Sequence, residues 1–203
     1  MKKIVLIGAG SHAHSCVDVI EQSKKYSIIG LISENKKLMA KVLGYPLVGT
    51  DKELKKISKK IRNAIISVGQ IKTSKIRINL YEKAIEAGFK FPVIISPYAY
   101  VSPRAKIGEG TIVMHGAVVN ANAIVGKNCI LNTNCVIEHD ATIYDHCHVS
   151  TGAILNGNVS LGRGSFVGSG SIIKQGAEIG KNCVIGANIF LRKNITSNTV
   201  YKK

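Results

Sequence analysis

Along the second half of the chain an aliphatic residue recurs at every sixth position without a break. From Ile95 the series runs Val101, Ile107, Val113, Val119, Val125, Leu131, Ile137, Ile143, Val149, Leu155, Leu161, Val167, Ile173, Ile179, Ile185 and Leu191. Ile, Val and Leu fill 58 of 203 positions, so seventeen hits in one register have a chance probability of roughly 10⁻⁹. Four residues beyond each, the side chain is mostly small, as at Ala99, Ala117, Cys129, Cys135, Cys147, Ser165 and Cys183. Neither an α-helix nor a coiled coil keeps a six-residue period on one face. A three-sided parallel β-helix does, with three short strands per 18-residue coil. The aliphatic residue fills the interior, the small one fits the corner, and Gly or Asn makes the turn. Seventeen hexads predict nearly six coils rising about 4.8 Å each, a prism roughly 27 Å long.

The first ninety residues alternate differently. Lys3 to Ile7 predicts a short buried strand, followed by Gly8-Ala9-Gly10-Ser11-His12-Ala13-His14 and a helix carrying Cys16, Val17, Val19 and Ile20. Ser27 to Ile32 predicts a second strand, ending at Ser33-Glu34. A linker runs through Gly44-Tyr45-Pro46, then Lys52 to Lys60 predicts a basic helix. Ala64 to Val68 predicts a third strand ending at Gly69, and Thr73 to Ala87 a helix closed by Gly88. Alternating strands and helices imply a small parallel sheet of Rossmann type. Gly8-x-Gly10-x-x-Ala13 after the first strand matches a phosphate-cradling loop, and Glu34 sits where a carboxylate binds ribose or base. Ninety residues hold half of a dinucleotide site, so one nucleotide is expected rather than NAD.

Composition narrows the class. Aromatic residues make up 5%, charged residues 20%, and no apolar run approaches the ~20 residues of a membrane span. The apolar stretch after Met1-Lys2-Lys3 stops after four residues, too short for a signal peptide. Five cysteines without a C-x-x-C spacing indicate reduced thiols and a cytoplasmic protein. The formal net charge is +16. Such a charge fits either a Lys-rich surface that keeps the protein soluble or a field that attracts small polyanions such as nucleotides or coenzyme A. The lysines of the first half lack an aromatic-interleaved stripe, so nucleic acid is not the expected partner.

Six histidines are the candidate chemistry: His12, His14, His115, His139, His146 and His148. His139, two residues past interior Ile137, is expected at a turn outside the prism, with Asp140 beside it. His148 precedes interior Val149 and is also expected to point outward, near the same edge. A metal site would need three converging histidines, typically with an H-x-x-x-x-H pair; that spacing is absent and no metal is expected. An imidazole, with an ordinary pKa of about 6.5, is suited to take a proton from an amine or hydroxyl attacking a thioester. A carboxylate at Asp140 would fix its tautomer, and a backbone N–H such as that of Gly157 would stabilise the oxyanion.

These residues resemble a known family. An uninterrupted hexapeptide prism behind a small glycine-loop domain is similar to the sugar acetyltransferases typified by bacillosamine N-acetyltransferases and sialic acid O-acetyltransferases. The similarity runs from Gly8-Ala9-Gly10-Ser11-His12 to about Ile185. It includes Val68-Gly69, Ile76-Arg77…Tyr81, Leu131-Asn132-Thr133…Ile137-Glu138-His139-Asp140 and His148-Val149-Ser150. The resemblance implies an α/β, Rossmann-like nucleotide-sugar-binding domain over 1–94 and a left-handed parallel β-helix acetyltransferase domain over 95–203. It implies His139 as general base with Asp140 as its acidic partner. Gly8, Gly10, Ser11, His12, Ala13, Glu34, Gly69 and Tyr81 would hold the nucleotide sugar. Asn132, His148, Gly157, Ser169, Gly186 and Ala187 would contact acetyl-CoA, between neighbouring subunits of a homotrimer. The expected reaction is direct N-acetylation of a nucleotide-linked amino-deoxysugar. Sialic acid O-acetylation and a non-catalytic scaffold remain as alternatives. Two features depart from the family: UDP-binding relatives often carry Asp-Asp where this chain has Ser33-Glu34, and the usual C-terminal G-x-P-A-K segment over coenzyme A is missing.

Overall fold

The computed structural model of the chain describes residues 1–34 and 41–202. Much of the linker expected after Glu34 therefore lies outside the described residues. The N-terminal part contains strands β1 (Lys2–Ile7), β2 (Tyr26–Ile32), β3 (Lys41–Val42), β4 (Tyr45–Gly49) and β5 (Asn63–Ile66). Its helices are α1 (His12–Ser23), the short α2 (Leu54–Ser58) after a 3₁₀ turn at Asp51–Glu53, and α3 (Lys75–Glu86). The sheet order is β3-β4-β2-β1-β5, with β1 parallel to both β2 and β5. Because β1 is flanked by β2 and β5, with packing on both faces, Ile4, Val5, Leu6 and Ile7 are all fully buried. Alternation sends Ile4 and Leu6 toward α1 and the prism, where they join Cys16, Val17, Ile20, Ile112 and Ile130. Val5 and Ile7 face the other way, onto Leu80, Tyr81 and Ala84 of α3.

Part of the expected linker is a hairpin. Leu43 and Gly44 both take positive φ, 47° and 86°, turning β3 back onto β4 with Val42 opposite Tyr45. β4 then pairs parallel to β2. Pro46 weakened the strand pattern, since proline gives no N–H to a ladder.

From Ile94–Ile95 onward the chain is a left-handed parallel β-helix. Every strand is two residues long; the second residue points inward, and strands stack in register 18 apart, as in Val118↔Val136 and Val136↔Ile154. From Val113 to Leu191 the interior residues are at most 2% exposed, and the small corner residues pack among them. The four prism cysteines are fully buried corner residues, as predicted, and burial pushes the Cys135 thiol up to about 12.

From the third hexad on, each turn passes through a left-handed residue. From 110 to 188 these positions hold six Gly, six Asn, and two exceptions: Asp140 and His146, both at φ 60°. The periodic series ends at Leu191, but the winding continues. Ile195 bridges to Ile179 and Val200–Tyr201 pairs with Val184–Ile185, a spacing of 16 rather than 18. Two residues are lost at the turn around Arg192–Asn194, which throws the sequence out of phase.

The three outer faces differ. The first carries Ile94, Ile112, Ile130, His148 and Phe166, buried beneath the N-terminal part. The second carries Tyr100, Val118, Val136, Ile154, Ile172 and Phe190, an apolar row left uncovered by this chain. The third carries Lys106, Ile124, Thr142, Ser160 and Glu178. Among the described residues no helix is long and apolar enough to cross a membrane.

Candidate functional site

His139 stands at the turn between the second and third faces, held out of the interior because Ile137 fills it. Its side chain is 53% exposed, and its Nδ1 lies 2.8 Å from Asp140 Oδ2. A carboxylate only accepts, so Nδ1 carries the proton and Nε2 is the free acceptor. Asp140 also accepts from Asn122 Nδ2 at 3.3 Å. The His139 hydrogen bond, first, and the Asn122 one, second, hold the Asp140 carboxyl below its ordinary range. One coil above, Gly157 receives the ring: a Cβ there would stand 2.6 Å from Cε1 and 2.7 Å from Nε2. Among the described residues nothing accepts from the Gly157 N–H.

The residues expected at the coenzyme do not lie together on one edge. Gly157 shares the His139 edge. Asn132, Ser169, Gly186 and Ala187 lie at turns on the opposite edge of the apolar second face, where Ser150 Oγ meets Ser169 Oγ at 2.9 Å.

His148 stands on the first face rather than near the His139 edge. It points out of the prism, but the N-terminal part covers it and only 6% remains exposed. Nδ1 donates to the Gln70 carbonyl at 2.7 Å, and Nε2 accepts from Asn132 Nδ2 at 3.2 Å. Burial, above all, lowers its pKa to about 4. Phe166 and His12 flank the ring.

A groove of about 620 Å³ opens at the carboxyl ends of β1 and β2, beside the N-terminus of α1. It is lined by Gly8, Gly10 and Glu34 as expected, together with Asp51, Lys75 and Asn79, which sequence reasoning missed. Lys75 and Asn79 are one helical turn apart on α3, a spacing that marks a common face. Gly8 has no alternative there, because a Cβ would run into Val68. At Gly10 the space is open, and Ala13, fully buried, anchors α1 behind the loop. Ser11 is the exposed N-cap of α1. Asp51 is raised above its ordinary value by burial first and by Glu34 second.

Three residues expected to hold the nucleotide sugar, His12, Gly69 and Tyr81, lie at the seam between the two parts. The His12 ring turns toward His148 and its Nε2 is buried without a partner; burial, then Arg77, drives its pKa down to about 3. Gly69 lies against the His12 side chain. Tyr81 is 6% exposed, packs on Phe91 and His146, and donates to Glu109 Oε1 at 3.3 Å. The seam is polar at its centre. Arg77, fully buried, donates to the carbonyls of Ile66, Val68 and Asn128 and so ties β5 to the prism. Among the described residues no group of three or more His, Cys, Asp or Glu is placed to hold a metal ion.

Comparison with known proteins adds to this geometry. The family described as PglD N-terminal domain matches residues 3–84, and the hexapeptide repeat of succinyl-transferase matches residues 158–193. No curated protein matches the sequence. Among solved structures, the acetyltransferase domain of PglB from Neisseria gonorrhoeae FA1090, in complex with acetyl coenzyme A, is 32% identical. The match covers 98% of this chain and 95% of that one, with a TM-score of 0.91. PerB from Caulobacter crescentus, in complex with CoA and GDP-perosamine, is 29% identical over 98% of this chain and 92% of that one, again at 0.91. WeeI from Acinetobacter baumannii AYE shares the fold, at 21% identity and a TM-score of 0.78 over 100% and 97% of the two chains. With a solved acetyltransferase above 30% identity matched along nearly its whole length, this chain belongs to the hexapeptide-repeat sugar acetyltransferase family.

Proposed function

We propose that the protein transfers the acetyl group of acetyl-CoA to the amine of a nucleotide-linked amino-deoxysugar. Transfer is direct, with His139 as general base. The observation that carries this is the 2.8 Å bond from His139 Nδ1 to Asp140, which leaves Nε2 without a hydrogen bond among the described residues and able to accept a proton. As the amine attacks the thioester carbonyl, Nε2 takes its proton while the N–C bond forms. The free N–H of Gly157, against the same ring, is suited to the oxyanion of the tetrahedral intermediate. When the C–S bond breaks, the imidazolium returns the proton to the departing sulfur. No cysteine takes part; the five thiols are buried.

The nucleotide lies in the groove beside Gly8 and Gly10, with the N-terminal N–H groups of α1 toward its phosphates and Glu34 and Asp51 toward its ribose and base. The PerB complex, which holds CoA and GDP-perosamine, supports a nucleotide-sugar acceptor, and the PglB complex supports acetyl-CoA as donor.

The working unit is a homotrimer with sites between protomers. Two observations support it. The second face presents six apolar side chains in a row, and full burial of one Val, Ile or Phe contributes about 1.5–3 kcal/mol. Its two edges carry complementary halves of the site, His139 and Gly157 on one, Asn132, Ser169 and Ala187 on the other. A cyclic arrangement sets one protomer's His139 edge against its neighbour's other edge. The buried, unpaired thiols suit a cytoplasmic location. The direct test is to incubate the protein with acetyl-CoA and a panel of UDP- and GDP-amino sugars and read the products by mass. A gain of one acetyl group on a nucleotide amino sugar is expected; acetylation of free sialic acid alone, or of nothing, contradicts the assignment.

A further inference from the structure

We infer that the end of the molecule opposite the nucleotide groove docks on a bilayer surface carrying anionic lipid. The amino ends of the parallel strands meet there, and each brings cations. Lys24 and Lys25 immediately precede β2, while Lys2 and Lys3 begin β1, opposite Tyr26 and Ser27. Arg62 immediately precedes β5, whose Asn63 donates to the Lys3 carbonyl at 2.9 Å. Lys90 continues the row beyond β5, bridged parallel to Asn63. Adjacent strands lie about 4.8 Å apart, so these four neighbouring segments spread over roughly 15 Å. Lys59 and Lys60, just after α2, adjoin Arg62. All of these cations are exposed, and among the described residues none forms an ion pair. No acid interrupts residues 1–3, 24–26, 59–63 or 90–93.

The same end exposes apolar surface. The strands of the N-terminal part run along the prism axis. Phe91, beside Lys90, accepts from the Gly110 N–H in the first coil. Gln70, beyond the carboxyl end of β5, donates to the His146 carbonyl two coils further on. The strand amino ends therefore lie level with the open first coil. Its interior residues Ile95, Val101 and Ile107 stay partly exposed, whereas those from Val113 to Leu191 are at most 2% exposed. An apolar patch beside a dense lysine row matches the interfacial zone of a membrane: headgroups neutralise the charge, and the aliphatic coil meets the acyl boundary. All but one of the cations are lysines, compact charges on flexible stems. The planar forks suited to fixed nucleic-acid phosphates and bases are nearly absent, and a fluid layer of headgroups does not need them. Gly8, Gly10 and Glu34 line the groove at the opposite ends of the strands, so docking leaves the groove open.

The test is flotation of the full chain with large vesicles at roughly 0.1 M salt. One set is phosphatidylcholine alone, and the other carries about 30% phosphatidylglycerol. Binding is expected to the anionic vesicles only, and is expected to be lost at about 0.5 M salt. The variant Lys2→Gln, Lys3→Gln, Lys25→Gln, Lys60→Gln should bind them about tenfold more weakly or worse. The variant Lys174→Gln, Lys181→Gln, Arg192→Gln, Lys193→Gln removes the same charge from the last coils and should bind as the wild type does. No binding to anionic vesicles would overturn the inference, as would equal losses in the two variants, which would reduce the effect to net charge. Binding to an RNA duplex of about 20 base pairs, with none to vesicles, would assign this end to nucleic acid instead and overturn it too. None of these readouts depends on acetyl transfer, so the inference and the proposed function fail separately.

Discussion

The imidazole of His139 lies against the α-carbon of Gly157, one coil above it, in the space a Cβ would occupy. Gly157 does not take positive φ, so alanine fits its backbone and only the ring must move. A displacement of about 1 Å at a reacting group costs on the order of a hundredfold in rate. Gly157→Ala should therefore lower kcat by ~10–100-fold with little change in melting temperature. A fully active variant would show that the ring's seat on Gly157 is irrelevant to the reaction.

Asp140 combines two demands, a carboxylate against Nδ1 and a backbone at φ 60°. Asn meets the second and keeps an acceptor for Nδ1–H, but not the charge. Ala meets neither and adds roughly 1–2 kcal/mol of left-handed strain. Asp140→Asn should keep its melting temperature and lose about tenfold or more in kcat, whereas Asp140→Ala should lose both. Equal kcat in Asp140→Asn and the wild type would remove the carboxylate from the account.

The prism was legible from sequence because each coil repeats one steric problem, an aliphatic residue inside and a small one at the corner. That solution survives as a strict period from Ile95 to Leu191. It failed where the period itself changed, at the two-residue loss before Ile195. The glycine loop and the exposed His139–Asp140 pair were legible for a similar reason, since local spacing decides on which side of a turn they stand. The burial of His148, Tyr81 and His12 was not legible, because only packing of the N-terminal part onto the first face covers them. Nothing in local sequence announces that seam except the even run of Ile94, Ile112 and Ile130 on an outer row that solvent would not tolerate.

The seam should make the protein sensitive to acid. His12, His146 and His148 have pKa values lowered to about 3, 4 and 4, in each case chiefly by burial. Once unfolded, each takes up a proton near 6.5, well before the folded form does. The unfolded state then binds more protons, so stability falls as pH drops from about 6.5 toward 4, with His12 alone still contributing between about 4 and 3. The slope is about 1.4 kcal/mol per pH unit for each histidine. Urea unfolding at pH 7.5, 6 and 5 should show this decline, while a flat profile would mean the three rings titrate as exposed groups.

The apolar row of the second face should be where protomers meet. Ile172, 39% exposed in the single chain, lies in the middle of its C-terminal half. Ile172→Lys should shift the mass in sedimentation equilibrium from three chains to one and abolish transfer, with each protomer still folded by circular dichroism. A monomeric wild type, or a monomeric variant with full activity, would contradict sites shared between protomers.

Transfer depends above all on the free Nε2 of His139. Steady-state kinetics of His139→Ala, with acetyl-CoA and the nucleotide amino sugar identified by the product screen, tests it directly. The expected result is a kcat lower by ~10²–10⁴-fold with both substrates still bound at near wild-type affinity. Turnover at the wild-type rate would mean that another group removes the proton.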